Sequence, residues 1–117
     1  MTNDLKHCVQ QAVEELKAVD VKVLDVAGLT SITDTMVICS GTSSRHVKSI
    51  AENVIEQARK HGFRTLGTEG LRESEWVLVD LGDAVVHVMQ AQTRAHYQLE
   101  KLWTFRPPEP GSSSAPG

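Results

Sequence analysis

The sequence predicts an α/β domain built as a five-stranded mixed sheet with three helices. Three observations carry this. Apolar residues recur at three-and-four spacing near residues 3–18, 44–60 and 93–103, as on one face of a helix. Five short apolar or β-branched runs lie near 21–26, 36–40, 63–67, 76–81 and 84–90. The last two are joined by Gly82-Asp83, a two-residue Gly-X connection that is a strong hairpin signal. The expected order is α-β-β-α-β-β-β-α, with the second strand inside the sheet.

The chain has 117 residues, 40% of them hydrophobic and 23% charged, which suits one small domain with a single core. The domain is expected over residues 1–103. Residues 104–117, which from 107 read Pro-Pro-Glu-Pro-Gly-Ser-Ser-Ser and onward, are expected to be a tail disordered by composition. Net charge is −3 and lysine and arginine are scattered, so little direct nucleic-acid binding is expected. No apolar stretch approaches ~18 residues, and the first residues do not read as a secretory signal, so a soluble cytoplasmic protein is expected. Cys8 and Cys39 each fall among apolar positions and read as buried free thiols. Their spacing to each other and to histidine supports no zinc site, and no metal or cofactor is expected.

In the first helix Leu5, Cys8, Val9, Ala12, Val13, Leu16 and Val19 form the buried stripe, with Asn3 or Asp4 at its start. Residues 27–35 make a long polar connection between the first two strands, a length at which loops often carry function. Met36-Val37-Ile38-Cys39 is nearly all apolar, as in a central strand. It leads into Gly41-Thr42-Ser43-Ser44 and the second helix, whose stripe is Val47, Ile50, Ala51, Val54, Ile55 and Ala58. Gly62 stands where a left-handed cap is wanted. The strand-turn-helix geometry at Gly41, Thr42 and Ser43 has two readings: Ser43 caps the helix, or the turn amides hold a phosphate. Neither a P-loop nor a dinucleotide fingerprint is present. The third strand, 63–67, is expected parallel to the second through a helical crossover.

Pairing across Gly82-Asp83 sets Leu81 against Ala84, Val79 against Val86 and Val77 against Val88, a wholly apolar face. The opposite face sets Asp80 near Val85, Leu78 near His87 and Trp76 near Met89. An aromatic, a thioether, an imidazole and a carboxylate share it, which marks a surface for meeting a partner. In the last helix Ala95, Leu99 and Leu102 form the inner stripe, and Tyr97 falls outward beside Arg94 and Lys101.

Ser43, Ser44, His46, His87, His96 and Asp80 are the scattered candidates for catalysis, and no spacing pairs a nucleophile with a base. A two-metal site needs two acids alternating on one strand face. Asp80 lacks such a partner because residue 78 is leucine, and Asp25 lacks one because residue 23 is valine.

Five blocks closely resemble the ribosomal silencing factor, or Iojap, family. They are Ser-Ile-Thr-Asp at 31–34, Met-Val-Ile-Cys-Ser-Gly-Thr-Ser-Ser-Arg-His-Val at 36–47, Glu-Trp-Val-Leu-Val-Asp-Leu-Gly-Asp at 75–83, Val-Val-His-Val-Met at 85–89 and Tyr-x-Leu-Glu-Lys-Leu-Trp at 97–103. The resemblance spans residues 3–103. It implies a nucleotidyltransferase-like fold lacking the catalytic acids and a translational repressor, not an enzyme. It implies binding to the large ribosomal subunit through large-subunit ribosomal protein fourteen, which blocks joining of the small subunit under nutrient limitation, and homodimers. The family's binding surface maps onto Trp76, Met89 and Tyr97, with Asp80, His87, Arg94 and Lys101 on a polar rim. The competing expectation is a nucleotide- or phosphate-binding transferase using the 41–44 turn.

Overall fold

The computed structural model describes residues 2–98. The elements are α1 (Thr2–Glu15), β1 (Val19–Asp25), β2 (Thr35–Gly41), α2 (Ser44–Lys60), β3 (Gly67–Glu69), β4 (Trp76–Asp80), β5 (Ala84–Gln90) and α3 (Ala91–Tyr97). The sheet order is β1-β2-β5-β4-β3, so β2 is interior and β5 central. β2 runs parallel to β5, and the other neighbouring pairs are antiparallel.

Helices α1 and α2 cover one face of the sheet. Leu5, Val9 and Val13 of α1 and Val47, Ile50 and Val54 of α2 pack on Val37, Cys39, Val77, Val79, Val86 and Val88. Burying each such valine contributes about 1.5–3 kcal/mol, which explains why the helical stripes and the apolar strand face find each other. α1 ends at Glu15, four residues before its apolar spacing does at Val19. Lys17 turns left-handed at φ 60, and the Ala18 amide donates to the Val13 carbonyl at 3.0 Å. Leu16 still reaches the core, but Val19 begins β1 and is exposed. α2 matches its sequence pattern, and Gly62 at φ +86 closes it. The Phe63 amide reaches the Ala58 carbonyl at 2.8 Å and the Gly62 amide that of Arg59 at 3.1 Å, the bonding of a Schellman motif.

The third strand is displaced from 63–67 to Gly67–Glu69 and lies at the sheet edge against β4. It points the same way as β2, as expected, but β4 and β5 stand between them. Phe63 is held back by the α2 cap and packs on the core, so pairing begins only where the Leu66 amide meets the Asp80 carbonyl at 2.7 Å.

The hairpin has the expected register, Trp76 opposite Met89 and Asp80 opposite Val85. The second face of the sheet carries a smaller cluster of Val26, Met36, Ile38 and Met89, with Leu24 and Trp76 against it. Among the described residues only α3, seven residues long, is a helix packed on this side. The 27–34 connection is pinned at the hairpin turn, where the Asp34 and Thr35 amides donate to the Asp83 carbonyl at 3.2 and 3.1 Å.

Candidate functional site: an aromatic cluster at one end of the sheet

Trp76 opens β4, and the segment before it is tightly built. The Ser74 amide donates to the Gly70 carbonyl at 2.8 Å, and the Ser74 hydroxyl to the Leu71 carbonyl at 2.6 Å. Gly70 has φ +86, and a Cβ there would stand 2.1 Å from the Trp76 carbonyl oxygen. Only glycine permits that approach. From the other side Gln90 donates its amide to the Glu75 carbonyl at 2.9 Å and its side-chain Nε2 to the Ser74 carbonyl at 3.3 Å.

The indole Nε1–H of half-buried Trp76 donates to Nδ1 of His87 at 2.9 Å, which assigns the proton of the neutral imidazole to Nε2. Tyr97 lies with its ring centroid 4.9 Å from that of Trp76, and His96 meets Tyr97 edge-on at 4.8 Å. Such tilted pairs contribute about 0.5–1.5 kcal/mol beyond area burial. Tyr97 is 56% exposed, so the cluster shows an aromatic edge to solvent while its polar indole atom faces inward.

The residues expected on this face separate into two groups. Trp76 and Tyr97 stand together at the surface. Met89 is their neighbour but is fully buried in the second cluster, so it supports Trp76 from beneath and is not an outward residue. His87 is also buried rather than on a polar rim, and burial pushes its pKa down to about 4. Arg94 is buried too and donates from Nη1 to the Ser40 hydroxyl at 3.0 Å. The expected inner residue of that helix, Ala95, is exposed instead. The physical reason is the position of α3 at the end of β2, where Ser40 offers an acceptor that outcompetes solvent for the guanidinium. Asp80 is half-buried, and its Oδ1 accepts from the Gly82 amide at 2.9 Å to close the hairpin. Lys101, Leu99 and Leu102 lie outside the described residues.

At the 41–44 turn the capping geometry is present: the Ser43 hydroxyl accepts from the His46 amide at 3.1 Å. The Thr42 amide donates to Nδ1 of His46 at 2.8 Å, and His46 Nε2 donates to the Leu16 carbonyl at 2.6 Å. A phosphate on this turn would have to displace the imidazole from Thr42. This link between the end of α1 and the turn was not visible in the sequence, since His46 and Leu16 are 30 positions apart. The role of Gly70 was equally hidden, because a lone glycine in a polar loop announces no close approach.

Burial pushes the Cys39 thiol up to about 12, with the nearby Arg94 charge opposing, so it is not a thiolate nucleophile at neutral pH. Both cysteines are free and buried. Among the described residues no group of three or more histidine, cysteine, aspartate or glutamate side chains is placed to hold a metal ion. Among the same residues no helix is long and apolar enough to cross a membrane.

The fold defines a structural class first. The crystal structure of a Chromobacterium violaceum protein superposes with a TM-score of 0.88 at 37% identity, covering 93% of this chain and 91% of that one. The family model described as "Ribosomal silencing factor during starvation" matches residues 2–115, and the chain belongs to that family. A ribosomal silencing factor, RsfS, of Haemophilus influenzae is 50% identical over 95 residues, 81% of this chain and 93% of that one. A mouse protein named for mitochondrial assembly of the ribosomal large subunit is 37% identical over 90 residues, 74% of this chain and 40% of that one.

Proposed function

We propose that this protein is a cytoplasmic translational repressor that docks on the large ribosomal subunit through large-subunit ribosomal protein fourteen. Occupying that surface blocks joining of the small subunit and slows translation when nutrients are limiting. The observation that carries the reading is the Trp76–Tyr97 cluster, an exposed aromatic edge on a rigid base in a member of the silencing-factor family. Interface centres are enriched in tryptophan and tyrosine, and rigid ones bind at low entropic cost. The name of the mouse relative points to the same subunit.

Docking on a protein suits a chain of net charge −3 better than docking on RNA. A non-enzymatic role is supported by the two strand acids. Asp25 accepts from the Ala27 amide at 3.2 Å and Asp80 from the Gly82 amide at 2.9 Å, so each serves a turn. That supports a nucleotidyltransferase-like fold used without an acid pair. A homodimer of the free protein follows from the family resemblance, and its mass in solution tests it.

The deciding experiment is sedimentation with separated ribosomal subunits on a sucrose gradient. The expected result is co-migration with the large subunit and loss of joined particles on mixing. Protein found only at the top of the gradient overturns the proposal.

A further inference from the structure

We infer that Arg94 is a positioning residue: its buried guanidinium, seated on Ser40, sets where α3 lies and thereby holds Tyr97 against Trp76. The inference rests on the ribosomal reading for its consequence in binding, but its structural half stands apart from it.

α3 cannot hold its own place. It has seven residues, and helices shorter than ~12 residues are marginal alone. Its N-cap residue, Gln90, makes no side-chain capping bond. Its C-terminus closes at Gln98, left-handed at φ 49, whose amide donates to the Arg94 carbonyl at 2.8 Å. Position must therefore come from what α3 packs against. Within α3 the buried residue is Arg94, whereas Ala91, Gln92, Ala95, His96 and Tyr97 are exposed. A helix normally docks by an apolar stripe, and here the docking side chain is a guanidinium.

The geometry connects this anchor to the cluster. Tyr97 is three residues after Arg94, the spacing at which side chains are neighbours on a helix surface. Ser40, which receives the guanidinium, is paired with Met89, and Met89 is paired with Trp76. One row of three adjacent strands thus carries the anchor's acceptor at one end and the indole at the other. At 7% exposure Arg94 offers a partner almost nothing to touch, so its influence on binding runs through Tyr97.

The test uses the full chain with isotope-labelled tryptophan. Its two readouts are the Trp76 indole N–H resonance, which feels the Tyr97 ring, and affinity for isolated large subunits. Arg94→Met keeps the aliphatic stem and removes the donors; Ser40→Ala removes the Ser40 hydroxyl, one acceptor of the guanidinium, without touching α3. Arg94→Met should shift the indole resonance and weaken binding about tenfold, a difference of ~1.4 kcal/mol. Ser40→Ala should act in the same direction and less strongly. In a Tyr97→Ala background neither should weaken binding more than about twofold further, because residues acting through one another are not additive.

An unshifted indole resonance in folded Arg94→Met overturns the inference. So does an undiminished loss of binding in the Tyr97→Ala background. If Arg94→Met does not fold, Ser40→Ala decides, and an unmoved resonance there overturns it. If the parent protein fails to bind large subunits, the ribosomal reading falls while the resonance still decides whether Arg94 places Tyr97.

Discussion

Trp76 turns its one hydrogen-bond donor inward to His87 and leaves its ring half-buried beside exposed Tyr97. Trp76→Ala and Tyr97→Ala should each weaken large-subunit binding about tenfold or more, since aromatic anchors at interface centres commonly cost ~2 kcal/mol when truncated. The two should differ in stability. Tyr97 is exposed and its loss should cost about 1 kcal/mol or less, whereas Trp76 covers buried Met89 and its removal should cost about 2 kcal/mol. His87 gives a pH signature. Burial holds its folded pKa at about 4, below the ordinary 6.5, so between those values the unfolded chain binds the extra proton. Its neutral form is fully compatible with folding above pH 6.5, and stability should fall as pH falls from 6.5 toward 4, by up to about 3 kcal/mol. His87→Gln keeps an acceptor for Trp76 and should flatten that part of the curve in denaturant titrations at pH 7 and pH 4.5. An equal slope in both proteins would assign the loss to carboxylates. Strand alternation made Trp76, His87 and Met89 legible as neighbours. It did not show that Met89 and His87 are covered, because alternation tells which face a residue takes and nothing about what lies on that face.

The loop before β4 and the ends of the helices govern how well these residues are held. Gly70→Ala must place a methyl carbon within 2.1 Å of the Trp76 carbonyl at a φ that disfavours side chains. It should cost more than ~2 kcal/mol and displace the start of β4, which circular dichroism melts and the indole resonance would report together. A parent-like melt would mean that the 70–75 segment is not rigid. α2 and the hairpin are legible in the sequence because their signals are local: an apolar stripe between Ser43 and Gly62, and two β-branched runs around Gly82. β3 is not legible in the sequence because Gly67, Thr68 and Glu69 carry no apolar pattern. They become a strand only by pairing with β4, which is long-range information. The apolar Phe63 drew the expected strand toward it, whereas its side chain packs on the helical layer.

For the whole molecule, the absence of a strand-borne acid pair was legible in residues 23, 25, 78 and 80, and the structure adds that Asp25 and Asp80 are both bonded to turn amides. With the Thr42 amide held by His46, millimolar ATP, CTP or GTP with magnesium should not raise the melting temperature. Saturable stabilisation at micromolar nucleotide would bring the transferase alternative back. Among the described residues, two helices of 14 and 17 residues seal one side of the sheet, and a single helix of seven lies on the other. That asymmetry makes the molecule's resistance to opening uneven. Amide hydrogens in α2 should exchange only through global unfolding, and those of α3 through a cheaper local release. On the proposed docking through Tyr97, which rides on α3, only molecules in which that helix is seated would be competent to dock, and the apparent dissociation constant would equal the intrinsic one divided by the seated fraction. Solution conditions that loosen one short helix would then turn down silencing without unfolding the protein.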